Sequence, residues 1–376
     1  MTEPNPEYEA IRLATASVFD GAAAERLHAL AEGGLDWGGV YAEAIYHGVQ
    51  PVLYARLRAF AEAYPDEAAL ADLVSVLQRN VSARTAFSLF LTAEMAGLTR
   101  ALDAAGVPFL ALKGPSLAEA YGGVAYRPFV DNDVLIDRHD FDRVEAALVE
   151  LGFERPPRTP LRLAGYLYIH GEFTFSRRVT GQVSTVDMHT ALVPPGLSYH
   201  ERLGVLLDRG RALSLGGATV RALSWEDLLI ALCVNGFKDQ WYRLRLVSDV
   251  AAAARMVTDW DAVFSRADAS RSRRMVHTAL ALAEGEAGLD LPGPALARVR
   301  ADARAVALSD RTRAYLRTTR RTGLLPWGGR VHLNLRSQDS LLGQVRYTAF
   351  AALRRATERF VDPEQAAIRK QRAARQ

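Results

Sequence analysis

The stretch RPFVDNDVLI, at residues 127–136, decides how the rest of this sequence is interpreted. Its apolar and β-branched residues predict a short strand over 130–136. Side chains alternate between the faces of a strand, so Asp131 and Asp133 point the same way, with Cα atoms roughly 6.6 Å apart. Two carboxylates on one face repel each other and lose hydration, costs that a hard, oxygen-binding cation such as Mg²⁺ relieves. The alternative is an edge strand with a solvated acidic face.

A third carboxylate lies in STVDMHT, at residues 184–190. Asp187 is bounded by apolar residues within a predicted strand over 183–192, and His189 shares its face. Together with the first strand, Asp187 would complete a three-carboxylate site, as two-metal centres need a carboxylate that bridges ions about 3.5–4 Å apart. His189 could support a ligand, contact a substrate or be an ordinary buried histidine.

The segment LKGPSLAEAY, at residues 112–121, predicts a strand end, a turn and a short helix. Gly114 permits close backbone approach and Ser116 can donate a hydroxyl at the helix start, where phosphate is favoured. Lys113 can supply charge. The chain has only three lysines, at 113, 238 and 370, and all its other basic residues except histidine are arginine. A lysine retained in such a sequence is a candidate for a role that needs a compact ammonium group.

Around these motifs the apolar spacing predicts four regions. Residues 1–105 form a helical region, 106–222 an α/β core, 223–345 a second helical region and 346–376 a basic helical tail. Within the core we expect strands at 107–112, 130–136, 168–175 and 183–192. Further on we expect helices at 225–237, 242–256, 261–267, 273–288 and 294–308, the first of them capped by Ser224.

Composition limits the classes of function. The chain has 376 residues, of which 49% are hydrophobic and 24% charged, as in globular proteins. The net charge of +3 comes from the tail, since residues 345–376 carry +5 and the rest −2, which disfavours a broad nucleic-acid surface. The acidic N-terminus, the short apolar runs and the single Cys233, interpreted as a buried thiol, predict a cytoplasmic protein without a membrane span.

Taken together, these motifs resemble the polymerase-β-like nucleotidyltransferase superfamily, and more narrowly the bacterial family called uncharacterised nucleotidyltransferase. Members share a Leu-Lys-Gly turn, a tyrosine, an Arg-Pro pair, an Asp-x-Asp strand and an Asp-x-His strand. A later helix pair carries a lysine, a tryptophan and an aspartate. In this sequence the matching positions are 112–114, Tyr121, 127–128, 131–133, 187–189 and the segment 231–256. The sequence departs from the family pattern at Asn132, Asn235 and Asp239.

The resemblance implies an α+β fold, with a small mixed sheet as a polymerase-β-like core and helical regions on both sides. It implies two Mg²⁺ ions on Asp131, Asp133 and Asp187, and a nucleoside triphosphate such as ATP as substrate. An acceptor hydroxyl would attack the α-phosphate, release pyrophosphate and pass its proton to Asp187. The implied nucleotide contacts are Lys113, Gly114, Ser116, Arg127 and Lys238. For Arg127, an ion pair that holds the start of the strand is an equal alternative.

Two other readings stay open at this point. The chain could be a nucleotide-binding regulatory protein that keeps the scaffold without turnover, or a helical interaction protein whose Asp-x-Asp is incidental. If it is an enzyme, the acceptor could be a small molecule, a peptide, a protein hydroxyl or an RNA end. The near-neutral body disfavours RNA. The sequence does not select the base of the nucleotide.

Overall fold

The computed structural model describes residues 5–155 and 160–361. Five helices precede the sheet, and Asn5, Asp20 and Asp36 cap the first three with their side chains. The fifth is 37 residues long and ends before Gly106, whose φ of +62° is the left-handed conformation that closes helices. These helices are α1 (Pro6–Thr15), α2 (Gly21–Glu32), α3 (Trp37–His47), α4 (Gln50–Phe60) and α5 (Ala68–Ala104).

Six strands form one mixed sheet in the order β3-β4-β2-β1-β6-β5. The β2–β4 and β1–β6 pairs are parallel and the other neighbours are antiparallel. The predicted α+β architecture, a small mixed sheet with helical flanks, is therefore confirmed. The strands are β1 (Phe109–Ala111), β2 (Asn132–Ile136), β3 (Glu172–Val179), β4 (Gln182–His189), β5 (Arg211–Leu215) and β6 (Ala218–Ala222).

The two faces of the sheet are covered by different helices. Four helices lie among the strands in sequence: α6 (Pro115–Ala120), α7 (Phe141–Glu150), α8 (Pro160–His170) and α9 (Leu203–Arg209). Val134 and Ile136 of β2 pack with the second half of α5 and with α7. Leu135 points to the other face and joins the core formed by the remaining helices. The side chain of Asp133 shares that second face, because the faces alternate along the strand.

Nine helices follow the sheet among the described residues. They are α10 (Trp225–Lys238), α11 (Leu244–Ala254), α12 (Trp260–Ala269), α13 (Arg273–Ala287), α14 (Gly293–Ala301), α15 (Ala303–Leu316), α16 (Thr319–Thr322), α17 (Trp327–Ser337) and α18 (Leu341–Val361). Ser224 caps α10 by accepting from the backbone N–H of Asp227, as predicted. Helix α13 contacts α1, and Tyr8 donates a 2.8 Å hydrogen bond to buried Glu286, so the helices before and after the sheet share one core.

Several predicted boundaries were wrong. Residues 168–170 end α8 and do not begin a strand, because the chain turns at Gly171 with φ +70°. The strand predicted over 183–192 ends at His189. The helix predicted over 294–308 is divided at Asp302, whose side chain caps α15 by accepting from the N–H of Ala305. The β5–β6 hairpin was not predicted.

Two further expectations concern the tail and the membrane. The first part of the tail belongs to α18, and residues 362–376 lie outside the described residues. Within the described ranges, every helix is too short or too polar to cross a lipid bilayer. Cys233 is buried, as predicted.

Candidate active site

Three aspartates meet where β2 and β4 run side by side. Asp131 immediately precedes β2, and Asp133 lies within it. Asp133 is the direct register partner of Asp187 on parallel β4, so the two side chains emerge from the same face. Thr174, on the edge strand β3, donates a 2.6 Å hydrogen bond to Oδ1 of Asp187. The predicted three carboxylates are therefore neighbours on one face of the sheet.

The three carboxylates differ in the direction in which their pKa is shifted. Burial raises the pKa of Asp131 to about 6, and the negative charges of Asp133 and Asp187 add to this effect. Burial likewise raises the pKa of Asp187, although the hydrogen bond from Thr174 opposes it. For Asp133 burial acts in the same direction, but Lys113 and a hydrogen bond to His189 outweigh it and hold the pKa below its ordinary value. The site thus carries more negative charge than its own cations compensate.

Lys113 supplies positive charge at this site without a direct hydrogen bond to a described residue. Burial disfavours its ammonium form, but Asp133, Asp239, Glu172 and Asp131 outweigh burial and raise its pKa. Its ammonium group makes no direct hydrogen bond or ion pair with any residue that the structure describes. Its three donors are therefore available to an anionic ligand beside the aspartates.

A series of contacting polar and charged side chains connects Asp133 to a pocket. Nε2 of His189 lies 2.8 Å from Oδ1 of Asp133, and its Nδ1 lies 3.6 Å from Oε2 of Glu172. The same Glu172 oxygen lies 3.3 Å from Nζ of Lys238. The pocket lies between the aspartate face of the sheet, the segment 191–194 and helix α10. Its polar lining is Lys113, His170, Glu172, His189, Asn235 and Lys238, and the remaining lining is apolar.

Gly114 and Ser116 follow Lys113, but their roles differ in the structure. Gly114 has φ +57° and ψ −116°, and a Cβ there would lie 3.5 Å from the carbonyl oxygen of Asp131. This backbone conformation favours glycine and brings the turn against the acidic strand. Ser116 is fully buried, and its hydroxyl accepts a 2.8 Å hydrogen bond from Arg211. The hydroxyl oxygen is thus an acceptor within the protein.

Arg127 forms the ion pair that was the alternative to phosphate contact. Its Nε and Nη2 donate 2.8 Å hydrogen bonds to Oδ1 and Oδ2 of Asp249, on α11. Tyr121 donates to Oδ1 of the same aspartate at 3.0 Å. The tyrosine, the arginine and the helix aspartate that carry the sequence resemblance therefore form one buried network, which joins the start of β2 to α11.

Some participants were not identified from the sequence. Glu172 was not singled out, although it is the cross-strand partner of His189 and links it to Lys238. Asn132 points to the opposite face of β2, as expected, where its Nδ2 donates to the carbonyl of Leu91 at 2.9 Å. The Asn132 side chain, which departs from the family pattern, therefore points away from the aspartates.

The residues fit a hard divalent cation by their chemistry. Asp131, Asp133 and Asp187 offer carboxylate oxygens, the donors that Mg²⁺ prefers, and their mutual repulsion is the cost that a cation would offset. Among the described residues, no three His, Cys, Asp or Glu side chains are drawn into a ready coordination shell. Asp133 and Asp187 are instead held by His189 and Thr174.

Comparison with known proteins identifies one relationship. A family model described as "uncharacterised nucleotidyltransferase" matches residues 33–285, more than half of the chain. The match includes the sheet, both acidic strands and helices α10 and α11. Searches of curated proteins and of solved structures found no significant match.

Proposed function

The chain belongs to the uncharacterised nucleotidyltransferase family, and from that premise we propose that it is a Mg²⁺-dependent enzyme. It would move a nucleoside monophosphate from a nucleoside triphosphate to an acceptor hydroxyl. The observation that carries the proposal is the grouping of Asp131, Asp133 and Asp187 beside Lys113, an ammonium without a direct partner among the described residues. Carboxylates that can bind a metal ion and an ammonium group that can bind phosphate together suit a metal-bound phosphate chain.

In this account the three aspartates would hold the Mg²⁺ ions. A bound Mg²⁺ supplies positive charge that stabilises the phosphate oxygens as the reaction proceeds. His189 keeps Asp133 oriented through the 2.8 Å contact. Glu172 lies on the far side of the His189 ring, 3.6 Å from Nδ1, and would fix the ring in turn.

The transfer itself is a substitution at the α-phosphorus. The acceptor oxygen forms a bond to phosphorus, the bond to the bridging oxygen of the β-phosphate breaks, and pyrophosphate leaves. We propose that Asp187 accepts the hydroxyl proton, a role that its raised pKa favours because proton affinity strengthens a base. The remaining contribution is positioning and electrostatic stabilisation.

Lys113 and Lys238 are the proposed contacts to the phosphate chain. Both line the pocket beside the aspartates, and among the described residues the direct partner of the Lys238 ammonium is half-buried Glu172. Gly114 permits the close approach of the turn. Ser116 and Arg127 act indirectly in this proposal, since the Ser116 side chain is fully buried and the Arg127 guanidinium is paired with Asp249. The acceptor would enter from the side of Asp187, and a small molecule, a peptide or a protein is favoured over RNA.

Isothermal titration calorimetry with ATP, GTP, CTP and UTP, each with and without Mg²⁺, tests the proposal. We expect one nucleotide to bind with Mg²⁺, Asp131→Ala to lose this binding, and the exposed control Asp142→Ala to keep it. Binding without pyrophosphate release once candidate acceptors are added would support the regulatory protein instead. If no nucleotide binds under either condition, the proposed function is wrong.

A further inference from the structure

Three arginines lie near the start of α11. One of them, Arg127, is paired with Asp249 in the buried network described above. We call Arg127, Arg243 and Arg245 the arginine cluster. Helix α11 contacts α6, which follows the Gly114 turn, so the cluster is on the β1 side of the acidic strand. Arg127 is also near enough to Asp131 for the two charges to influence each other.

Asp249, the acidic member of this network, is already paired with Arg127. Both carboxylate oxygens of Asp249 accept from Arg127, and Oδ1 accepts from Tyr121 as well. One negative charge therefore balances one of three guanidinium groups. Arg245 does not hydrogen bond to this carboxylate.

Arg245 has no direct partner for its guanidinium group among the described residues. Its Nε is buried and makes no hydrogen bond, and the Nε of Arg243 is in the same state. The charge of Arg127, followed by burial, lowers the pKa of Arg245. The stem of Arg245 packs against Gly48, where an added Cβ would lie 3.4 Å from its Cδ.

Such an arrangement is unfavourable without a ligand. The guanidinium of Arg245 is half-buried beside the like charge of Arg127, and its buried Nε makes no hydrogen bond. Arginine is also the residue best suited to bind phosphate oxygens through paired N–H donors. A polyanion that contacts Arg245 would relieve both the repulsion and the unsatisfied donors.

The sheet order indicates which part of the substrate the arginine cluster would contact. In an in-line transfer the attacking hydroxyl and the leaving pyrophosphate lie on opposite sides of the transferred phosphorus. Asp187, the proposed base, is on β4, and the cluster lies beyond β2 on the β1 side. We propose that Arg245, assisted by Arg243, binds the β- and γ-phosphates of the nucleoside triphosphate, an inference that rests on the proposed function.

Calorimetry with Arg245→Met tests this assignment, because methionine keeps most of the stem and removes the charge. Three titrants are compared: the Mg²⁺-nucleoside triphosphate, the matching monophosphate, and inorganic tripolyphosphate without metal. We expect the variant to bind the triphosphate and tripolyphosphate at least 10-fold more weakly and the monophosphate unchanged. Arg138→Met, which removes an exposed arginine beyond the far end of β2, should change none of these affinities.

The melting temperature separates this effect from misfolding. Because Arg245→Met removes a like-charge contact, its ligand-free melting temperature should equal or exceed that of the wild type. Wild-type affinity for the triphosphate, or an equal loss of monophosphate and triphosphate binding, would overturn the assignment.

A further comparison distinguishes failure of the site from failure of the proposed function. Asp131→Asn should keep metal-free tripolyphosphate binding while losing Mg²⁺-dependent nucleotide binding. If the wild type binds tripolyphosphate through Arg245 but binds no nucleotide with Mg²⁺, the proposed function fails and a polyphosphate site remains. If Mg²⁺-dependent nucleotide binding is normal in Arg245→Met, only the arginine assignment fails.

Discussion

Arg127 and Asp249 are 122 residues apart in the chain and form a buried ion pair with two 2.8 Å hydrogen bonds. The pair fixes the segment before β2 to helix α11 and so positions Asp131 relative to the helices that cover it. The charge of Arg127 lowers the pKa of Arg245 and that of Asp249 raises it, so the carboxylate limits the positive charge at this edge of the site.

Removing one member of this pair should be costly. We expect Asp249→Asn to lower the free energy of unfolding by about 3–5 kcal/mol, because Arg127 would stay buried without an opposite charge. Urea denaturation measures the change. The exposed pair of Arg298 and Asp268 provides the control, since Asp268→Asn should cost less than about 1 kcal/mol. Equal effects of the two substitutions would contradict the structural role of Asp249.

The repulsion among the aspartates should be visible as a stability penalty. The pKa of Asp131 is raised from 3.8 to about 6 in the folded protein, so folding favours the protonated form. The penalty is therefore absent below pH 3.8, where both states are protonated, and grows as pH rises to about 6.

Accordingly, Asp131→Asn should stabilise the metal-free protein by about 1–3 kcal/mol at pH 7.5 and by almost nothing near pH 3.5. Urea denaturation in the presence of EDTA at the two pH values checks this. The exposed Asp142→Asn should show no such pH-dependent gain. A loss of stability at pH 7.5 in Asp131→Asn would show that the carboxylates are not in repulsion.

His189 should control the metal requirement through its contact with Asp133. Residues that orient a metal ligand typically change metal affinity or activity 10–100-fold when they are replaced. We therefore expect His189→Ala to raise the Mg²⁺ concentration for half-maximal nucleotide binding by about that factor, measured by titration at saturating nucleotide. His139→Ala, in the exposed turn that follows β2, is the control. An unchanged Mg²⁺ requirement would make His189 an ordinary buried histidine.

The Gly114 turn provides a test of backbone geometry. Gly114→Ala should cost about 1–3 kcal/mol because φ +57° with ψ −116° is strained for any other residue. The space itself would accept a Cβ, since the nearest atoms lie at 3.5 Å. Thermal denaturation compares it with Gly204→Ala, in helix α9, where open surroundings predict no loss. Nucleotide binding should also weaken, because Lys113 and Asp131 flank this turn.

The acidic strands were predictable because local patterns specify them. Alternation along β2 placed Asp131 and Asp133 on one face, and the mid-strand position of Asp187 suggested a third carboxylate on a neighbouring strand. The β5–β6 hairpin was missed although Gly216 and Gly217 separate two runs of alternating apolar residues, a recognised hairpin signal.

Other features depend on contacts between distant segments, which no local pattern contains. The pairing of Arg127 with Asp249 joins positions 122 residues apart, and that of Ser116 with Arg211 joins positions 95 residues apart. Arg127 and Ser116, considered alone, are equally compatible with a phosphate ligand. The sequence therefore suggested which residue types surround the site, but only the fold shows which of them already have partners.

The metal-dependent three-carboxylate site is the central claim, and Mn²⁺ binding measured by electron paramagnetic resonance tests it most directly. Free Mn²⁺ is titrated against the protein with and without a non-hydrolysable nucleoside triphosphate, using wild type, Asp131→Asn and the control Asp142→Asn. We expect two nucleotide-dependent ions per chain in the wild type and control, and at most one in Asp131→Asn. The absence of Mn²⁺ binding in the wild type with nucleotide, or the same number of ions in Asp131→Asn as in the wild type, would contradict the account.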